Sequence, residues 1–415
     1  MHLLWGLTRA LAGEPTTVTL AGGARLTVLP RPEAADVAVA DWVSAGSAVD
    51  PPGLPGATHL IEHLVVGTSG DDGLESVLAP WGGTVNAFTG IDYTRYAARL
   101  PAAALPTWLS AQAARMQALP IDAETLAREQ AVVAEELSQR PDGLLARLSA
   151  AIDAQLWGGH PYAHAADSQT RLPESAPAPE ALRALLAHRY AAPAHHLVVV
   201  GPVDPDEVAA AAQAAFTTTA PVAPLPPIDR AALPARLADT TQTPLYRAGG
   251  AVWVLPPPST ADFWALRVAL DLLERDQRVL DLLPERSALR LGVDVSWGAA
   301  GGRLLLIGLH PSLRDPARVE ATSAALAHAV ADPAWLSDET VRAALRGAER
   351  EMLSAAWDVG ETARWLGWSD RLRGHPQSPE QIAATLHGLT PADVRAAWSR
   401  WIPAEGWIPV LWHVG

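Results

Sequence analysis

The segment Gly56-Ala-Thr-His-Leu-Ile-Glu-His63 places His59, Glu62 and His63 within five residues of one another. On a helix that turns about 100° per residue, His59 and His63 lie about 40° apart on one face, with Glu62 about 60° to the other side of His59. Two imidazoles one turn apart can grip a single metal ion. A carboxylate beside them can take a proton from water at that metal. These three side chains are the minimum equipment for hydrolysing a peptide bond without a covalent intermediate.

A His-x-x-x-His pair alone is common on helices that bind nothing. The inserted Glu narrows the reading, because His-x-x-Glu-His is a signature of zinc hydrolases. A third ligand then has to come from a separate element. Downstream, Arg128-Glu-Gln-Ala-Val-Val-Ala-Glu-Glu-Leu137 has a helical pattern and holds Glu129 and Glu136 seven residues apart. Those two side chains point the same way within about 20°, whereas Glu135 points about 100° away from Glu136. Alone, the pair would read as a solvated acidic face. Two stacked acids repel unless a cation lies near them. Beside the His motif, Glu136 is expected as the third ligand and Glu129 as a carboxylate supporting a ligand from behind.

His59-Leu-Ile-Glu-His63 followed about seventy residues later by Glu-x6-Glu resembles the pitrilysin/insulinase-type metallopeptidases, a group that includes the mitochondrial processing peptidases. Gly82-Gly-Thr-Val-Asn-Ala-Phe-Thr89, Asp92-Tyr-Thr-Arg-Tyr96, Gly159-His-Pro-Tyr162 and Leu197-Val-Val-Val-Gly-Pro-Val-Asp204 resemble further stretches of that family, over roughly residues 15 to 410. The resemblance implies an α+β fold of two tandem homologous α/β units. It implies one Zn2+ per chain, held by His59, His63 and Glu136, with Glu62 as general base. It also implies that a peptide substrate adds as a strand beside Asn86 and Ala87. By itself, Asn86 reads as a turn residue after Gly82-Gly83. Family members with complete sites carry an Arg and, seven residues later, a Tyr in the half without zinc. Arg286 fits the first position here, but Val293 stands at the second, and valine donates no hydrogen bond.

The family's working chamber uses four such units and this chain has two. A second pitrilysin-like chain supplying the Arg/Tyr pair is therefore implied, with a homodimer as the alternative. Two functions follow. One is a zinc endopeptidase that processes leader or other small peptides. The other is a catalytically inactive structural subunit of the same fold, a role in which zinc motifs are usually eroded.

The elements that must position these residues are legible in outline. With 415 residues, 49% of them hydrophobic, the chain suits two domains. The N-terminal domain is expected over residues 1–216, with a hairpin at Thr17–Pro30, a buried strand at Val37–Ala45 and the motif helix after Pro55-Gly56. A strand pair at Gly82–Leu100, long helices between Ala102 and Leu156, a helix at Pro179–Tyr190 and a strand at His196–Val200 follow. Residues 217–243, containing Ala-Pro-Val-Ala-Pro-Leu-Pro-Pro, read as an extended linker. Residues 244–415 form the second domain. There Pro391–Pro403 leading to Val410–Gly415 repeats the pattern of Pro179–Ala191 leading to Leu197–Gly201, at a spacing near 212 residues.

Cysteine is absent, so zinc must use His and carboxylate. No apolar run reaches 18 residues and no secretory leader is evident, so a cytoplasmic protein without a membrane span is expected. All 31 basic residues are Arg, and the net charge of −14 argues against a nucleic-acid partner and weakly favours basic peptides. Of sixteen Trp, several cluster late in the chain, where some could line a peptide or subunit surface.

Overall fold

Two β-sheets with one strand order organise the chain. The computed structural model describes residues 13–67, 73–119, 121–139, 144–168, 172–173, 177–239, 246–275, 290–311 and 315–414. Strands Thr16–Thr19 (β1), Arg25–Pro30 (β2), Val37–Val43 (β3), Thr84–Thr89 (β4), Thr94–Leu100 (β5) and His195–Gly201 (β6) form a six-stranded sheet in the order β1-β2-β6-β3-β5-β4. Strands Leu237–Asp239 (β7), Tyr246–Leu255 (β8), Arg290–Gly298 (β9), Gly301–Pro311 (β10) and Ile408–Val414 (β11) form a second sheet in the order β7-β11-β8-β10-β9.

The second sheet repeats β2-β6-β3-β5-β4 position for position. The pair β7–β11 is parallel like β2–β6, and every other neighbouring pair is antiparallel in both. The fold is therefore α+β with a duplicated architecture. Helix Phe263–Arg275 takes the chain position of the motif helix in the second copy, and its sequence FWALRVALDLLER contains no histidine.

In the first sheet every residue of β3 and β6 is buried. Their near-continuous apolar runs suit strands covered on both faces. One face packs against helices Ala57–Val66, Leu105–Gln117, Pro179–Arg189 and Pro205–Ala215, through a core that includes Leu26, Val39, Leu60, Leu64, Trp108, Leu182 and Leu197. The other face sets Ala38, Ala40, Trp42, Val198 and Val200 against Val359, Ala363 and Leu366 of helix Val359–Arg373. Burying one such large side chain is worth about 1.5–3 kcal/mol. Trp42 packs directly on Gly367, where a Cβ would come within 1.9 Å of the indole nitrogen. Strand β4 lies at the open edge, and its residues alternate between exposed and half-buried.

Compactness does not follow chain order. One unit comprises Met1–Asp142, His164–Leu225 and Leu353–Glu380, and the other comprises Gly143–Ala163, Pro226–Met352 and Gln381–Gly415. Two segments, Gly143–Ala163 and Leu353–Glu380, thus group with the unit that does not contain their neighbours in the chain. Local polar contacts explain both. Helix Leu144–Trp157 is pinned in its unit by Asp153, which accepts from Arg303 Nε at 2.5 Å and Nη2 at 2.8 Å. Arg303 is buried. Burial works against its charge, but the Asp153 carboxylate more than offsets this and holds the guanidinium above its ordinary range. The Gly-His-Pro-Tyr stretch extends the lock. His160 Nε2 meets Pro226 O at 2.9 Å, and the Tyr162 hydroxyl accepts from Ala300 N at 3.1 Å. In the first unit Asp370 receives Arg25 at 2.6 Å and His196 at 2.9 Å, tying the exchanged helix to β2 and β6.

Candidate metal centre

The motif helix, Ala57–Val66, is held at both ends by side chains from elsewhere. At its N-terminus the two Asp50 carboxylate oxygens accept from Gly56 N and Thr58 N, each at 2.8 Å. Gly56 takes φ 75°, which suits glycine. Asp50 therefore does what an N-cap residue would do, from six residues upstream. Burial dominates its ionisation and raises its pKa to about 6, despite the hydrogen bonds that favour the charged form. At the other end Arg115 donates to Leu64 O and Val65 O, each at 2.6 Å. An acid at the N-terminus and a guanidinium at the C-terminus both match the helix dipole. Leu60, Ile61, Leu64 and Val65 are buried in the core, which fixes the helix rotation and presents His59 and His63 together.

Helix Ala123–Gln139 lies against the motif helix through buried Leu126 and Val133. That packing brings Glu136 to the histidines across a gap of about seventy residues in sequence. Glu136 Oε2 is 3.5 Å from His59 Nε2 and 3.3 Å from His63 Nε2. One ligand atom from each of His59, His63 and Glu136 can be chosen so that all lie within 4.8 Å of one another. Tetrahedral zinc with bonds of about 2.0–2.2 Å separates its donors by about 3.3–3.6 Å. The two Glu136–His separations match the edge of such a tetrahedron and exceed the roughly 2.7–2.9 Å of a charge-assisted hydrogen bond. Two imidazoles and one carboxylate, without a thiolate, are a suitable donor set for zinc.

The other carboxylates have different surroundings. Glu129 is 2% exposed and its Oε2 lies 3.7 Å from His63 Nδ1, on the side of the ring away from Glu136. Glu135 is exposed. Glu62 is buried and accepts a hydrogen bond at Oε2 from the Thr89 hydroxyl, at the end of β4. Behind it, Tyr96 and Tyr190 are buried. Desolvation, reinforced by the Glu62 charge, raises both phenols and keeps them neutral.

A cavity of about 120 Å³ opens over these groups, lined by Thr58, His59, Glu62, Ala87, Thr89 and Glu136 among others. Ala87 thus borders the site. Asn86 alternates to the exposed side of β4 and is not among the lining residues. Arg286 lies outside the described residues. Val293 lies on β9 opposite Leu306, so the valine sits in the edge strand of the second sheet.

The sequence reading had no role for Asp50, Arg115 or Thr89. Asp50 does carry a local signal, an acid in Asp-Pro-Pro shortly before a helix start. Thr89 and Arg115 carry none, because their partners are set by strand and helix packing.

Residues 27–165 match the family described as Insulinase (Peptidase family M16). An uncharacterized zinc protease of Streptomyces coelicolor is 32% identical over 133 residues, covering 31% of this chain. The match spans only 29% of that relative's length. Among solved structures, a protease from Helicobacter pylori superposes with a TM-score of 0.74 at 17% identity, covering 97% of this chain and 100% of that one. A peptidase M16 inactive domain from Pseudomonas fluorescens also gives 0.74, at 18% identity, covering 96% and 98%. The family match over residues 27–165 supports a metallopeptidase of the insulinase, or pitrilysin, type, and the likeness to solved structures shows that the whole chain has the fold of such peptidase domains.

Proposed function

We propose that this chain is a zinc-dependent endopeptidase and the zinc-bearing subunit of a heterodimer. The observation that carries the reading is the convergence of His59, His63 and Glu136 on one point beside the buried Glu62. His59, His63 and Glu136 are the proposed ligands, and Glu129 orients His63 through Nδ1. Zinc bound there would polarise the scissile carbonyl and make water more acidic. Glu62 is placed to take a proton from a water in the cavity and to pass it to the leaving amine. The Thr89 hydroxyl holds the Glu62 carboxylate in place. The open edge of β4 offers backbone groups to a peptide that adds as a further strand, a mode insensitive to side-chain sequence. Asn86 and Ala87 are the proposed contacts on that edge.

The heterodimer rests on Val293. The strand that repeats β4 in the second sheet carries no donor at this position. A partner with Arg-x6-Tyr and no His-x-x-Glu-His would supply the oxyanion donors. A homodimer that works without the Tyr is the alternative assembly. Leader or other small peptides, processed in the cytoplasm inside a closed chamber, are the proposed substrates. Among the described residues no helix is long and apolar enough to cross a membrane.

Metal analysis and cleavage assays on the chain, alone and with the partner that copurifies, test the proposal. One zinc per chain is expected. Glu62→Gln should keep the metal and lower the cleavage rate at least about 100-fold; unchanged cleavage would remove Glu62 as base. The likeness to an inactive domain favours a second reading, a structural subunit, which predicts no bound zinc.

A further inference from the structure

A second cavity in the first unit, of about 250 Å³, is bounded by Arg31, Glu33, Ala34, Trp357, Val359 and Glu380. It belongs to the turn that leads into β3. The motif helix follows the other end of that strand, seven residues or about 20 Å away. The cavity is therefore separate from the candidate metal centre. It is smaller than the roughly 300–1,000 Å³ pockets that enclose whole small molecules, and it suits one long side chain.

Its ionised groups are not equivalent. Arg31 is 7% exposed and committed to Glu380 at 2.6 Å. Glu33 is exposed and has no ion pair or side-chain hydrogen bond with a described residue. Trp357 is 74% exposed, more than any other large apolar side chain among the described residues, and its ring meets no described ring or cation. Ala34 and Val359 supply an apolar floor. An indole face in water, a carboxylate without a partner among the described residues and an apolar floor together fit a cation on an alkyl stem. The chain makes this arrangement internally elsewhere. Arg364 lies over Trp365 at 4.6 Å while donating to Glu361 at 2.6 Å. A planar guanidinium can stack on an indole and fork onto a carboxylate at once.

We propose that this cavity is a docking site for the side chain of an arginine carried on a peptide segment. The arginine stem lies on Ala34 and Val359, the guanidinium stacks on Trp357, and Glu33 receives its N–H groups. The site requires no metal and stands apart from the peptidase reading.

The test uses full-length protein labelled with 5-fluorotryptophan, with the Trp357 resonance assigned through Trp357→Phe. Acetyl-arginine methylamide is titrated against its uncharged isostere, acetyl-citrulline methylamide. The expected result is a saturable shift of the Trp357 resonance with the arginine compound. Binding should be at least about tenfold weaker with citrulline and about tenfold weaker in Glu33→Gln. Equal binding of the two compounds, an unchanged Glu33→Gln variant, or no saturable shift would each overturn the proposal.

Discussion

Glu129→Gln is the sharpest probe of the candidate metal centre, because it changes one charge and almost no volume. The side chain is 2% exposed, so the variant amide stays packed where the carboxylate was. The lost charge sits 3.7 Å from His63 Nδ1, with the proposed metal beyond the other ring nitrogen. A unit charge about 7 Å from a dication interacts by roughly 1 kcal/mol at the dielectric of water and roughly 5 kcal/mol at an effective dielectric of about 20. Loss of a carboxylate behind a ligating His typically costs about 10–100-fold in metal affinity, which falls within that range. We expect about 2 kcal/mol, or roughly thirtyfold weaker zinc binding. Competition against a chromogenic chelator at neutral pH measures this directly, without reference to activity. Glu136→Gln, which removes a proposed ligand atom, should cost more than about 100-fold in the same assay. The reasoning fails if Glu129→Gln binds zinc within twofold of the unaltered chain. It also fails if the two variants lose equally, since Glu129 would then act as a ligand.

The remaining predictions concern the supports of the site. Burial raises Asp50 from 3.8 to about 6, so between those values the folded chain keeps a proton that the unfolded chain has released. The stability linked to this group is full below about pH 4 and is lost as pH rises through about 6, by up to about 3 kcal/mol. Denaturant titrations of metal-free protein should show the difference between Asp50→Asn and the unaltered chain moving by about 2 kcal/mol from pH 4 to pH 7, in favour of the variant; a pH-independent difference would contradict the assignment. Arg303→Met strands the buried Asp153 and should cost about 3–5 kcal/mol in urea unfolding, much of it recovered when Asp153→Leu is added. Gly367→Ala should cost about 1–3 kcal/mol in thermal unfolding, because its new methyl meets the Trp42 ring; an unchanged midpoint would show that this helix can move aside.

The sequence by itself determined the parts of the site whose geometry is local. His59, Glu62 and His63 lie within two turns of one helix, and helical periodicity alone sets their relative directions. The same holds for Glu129 and Glu136. The buried strand read at Val37–Ala45, which the fold places at Val37–Val43, and the repeated helix-then-strand ends of the two halves were likewise written in short apolar runs. Only the tertiary structure decided which groups meet across long separations. Glu136 reaches the histidines because two helices pack through Leu126, Val133 and the motif helix. Thr89 reaches Glu62 because β4 is the edge strand next to that helix. Asp50 and Arg115 close the helix ends from other elements, and the crossing of residues 143–163 and 353–380 between units depends on ion pairs such as the buried Asp153–Arg303 and the half-buried Asp370–Arg25. Periodicity and turn residues act over a few positions of chain. Sheet order and buried charge pairing act through space, and no local pattern in the sequence records them.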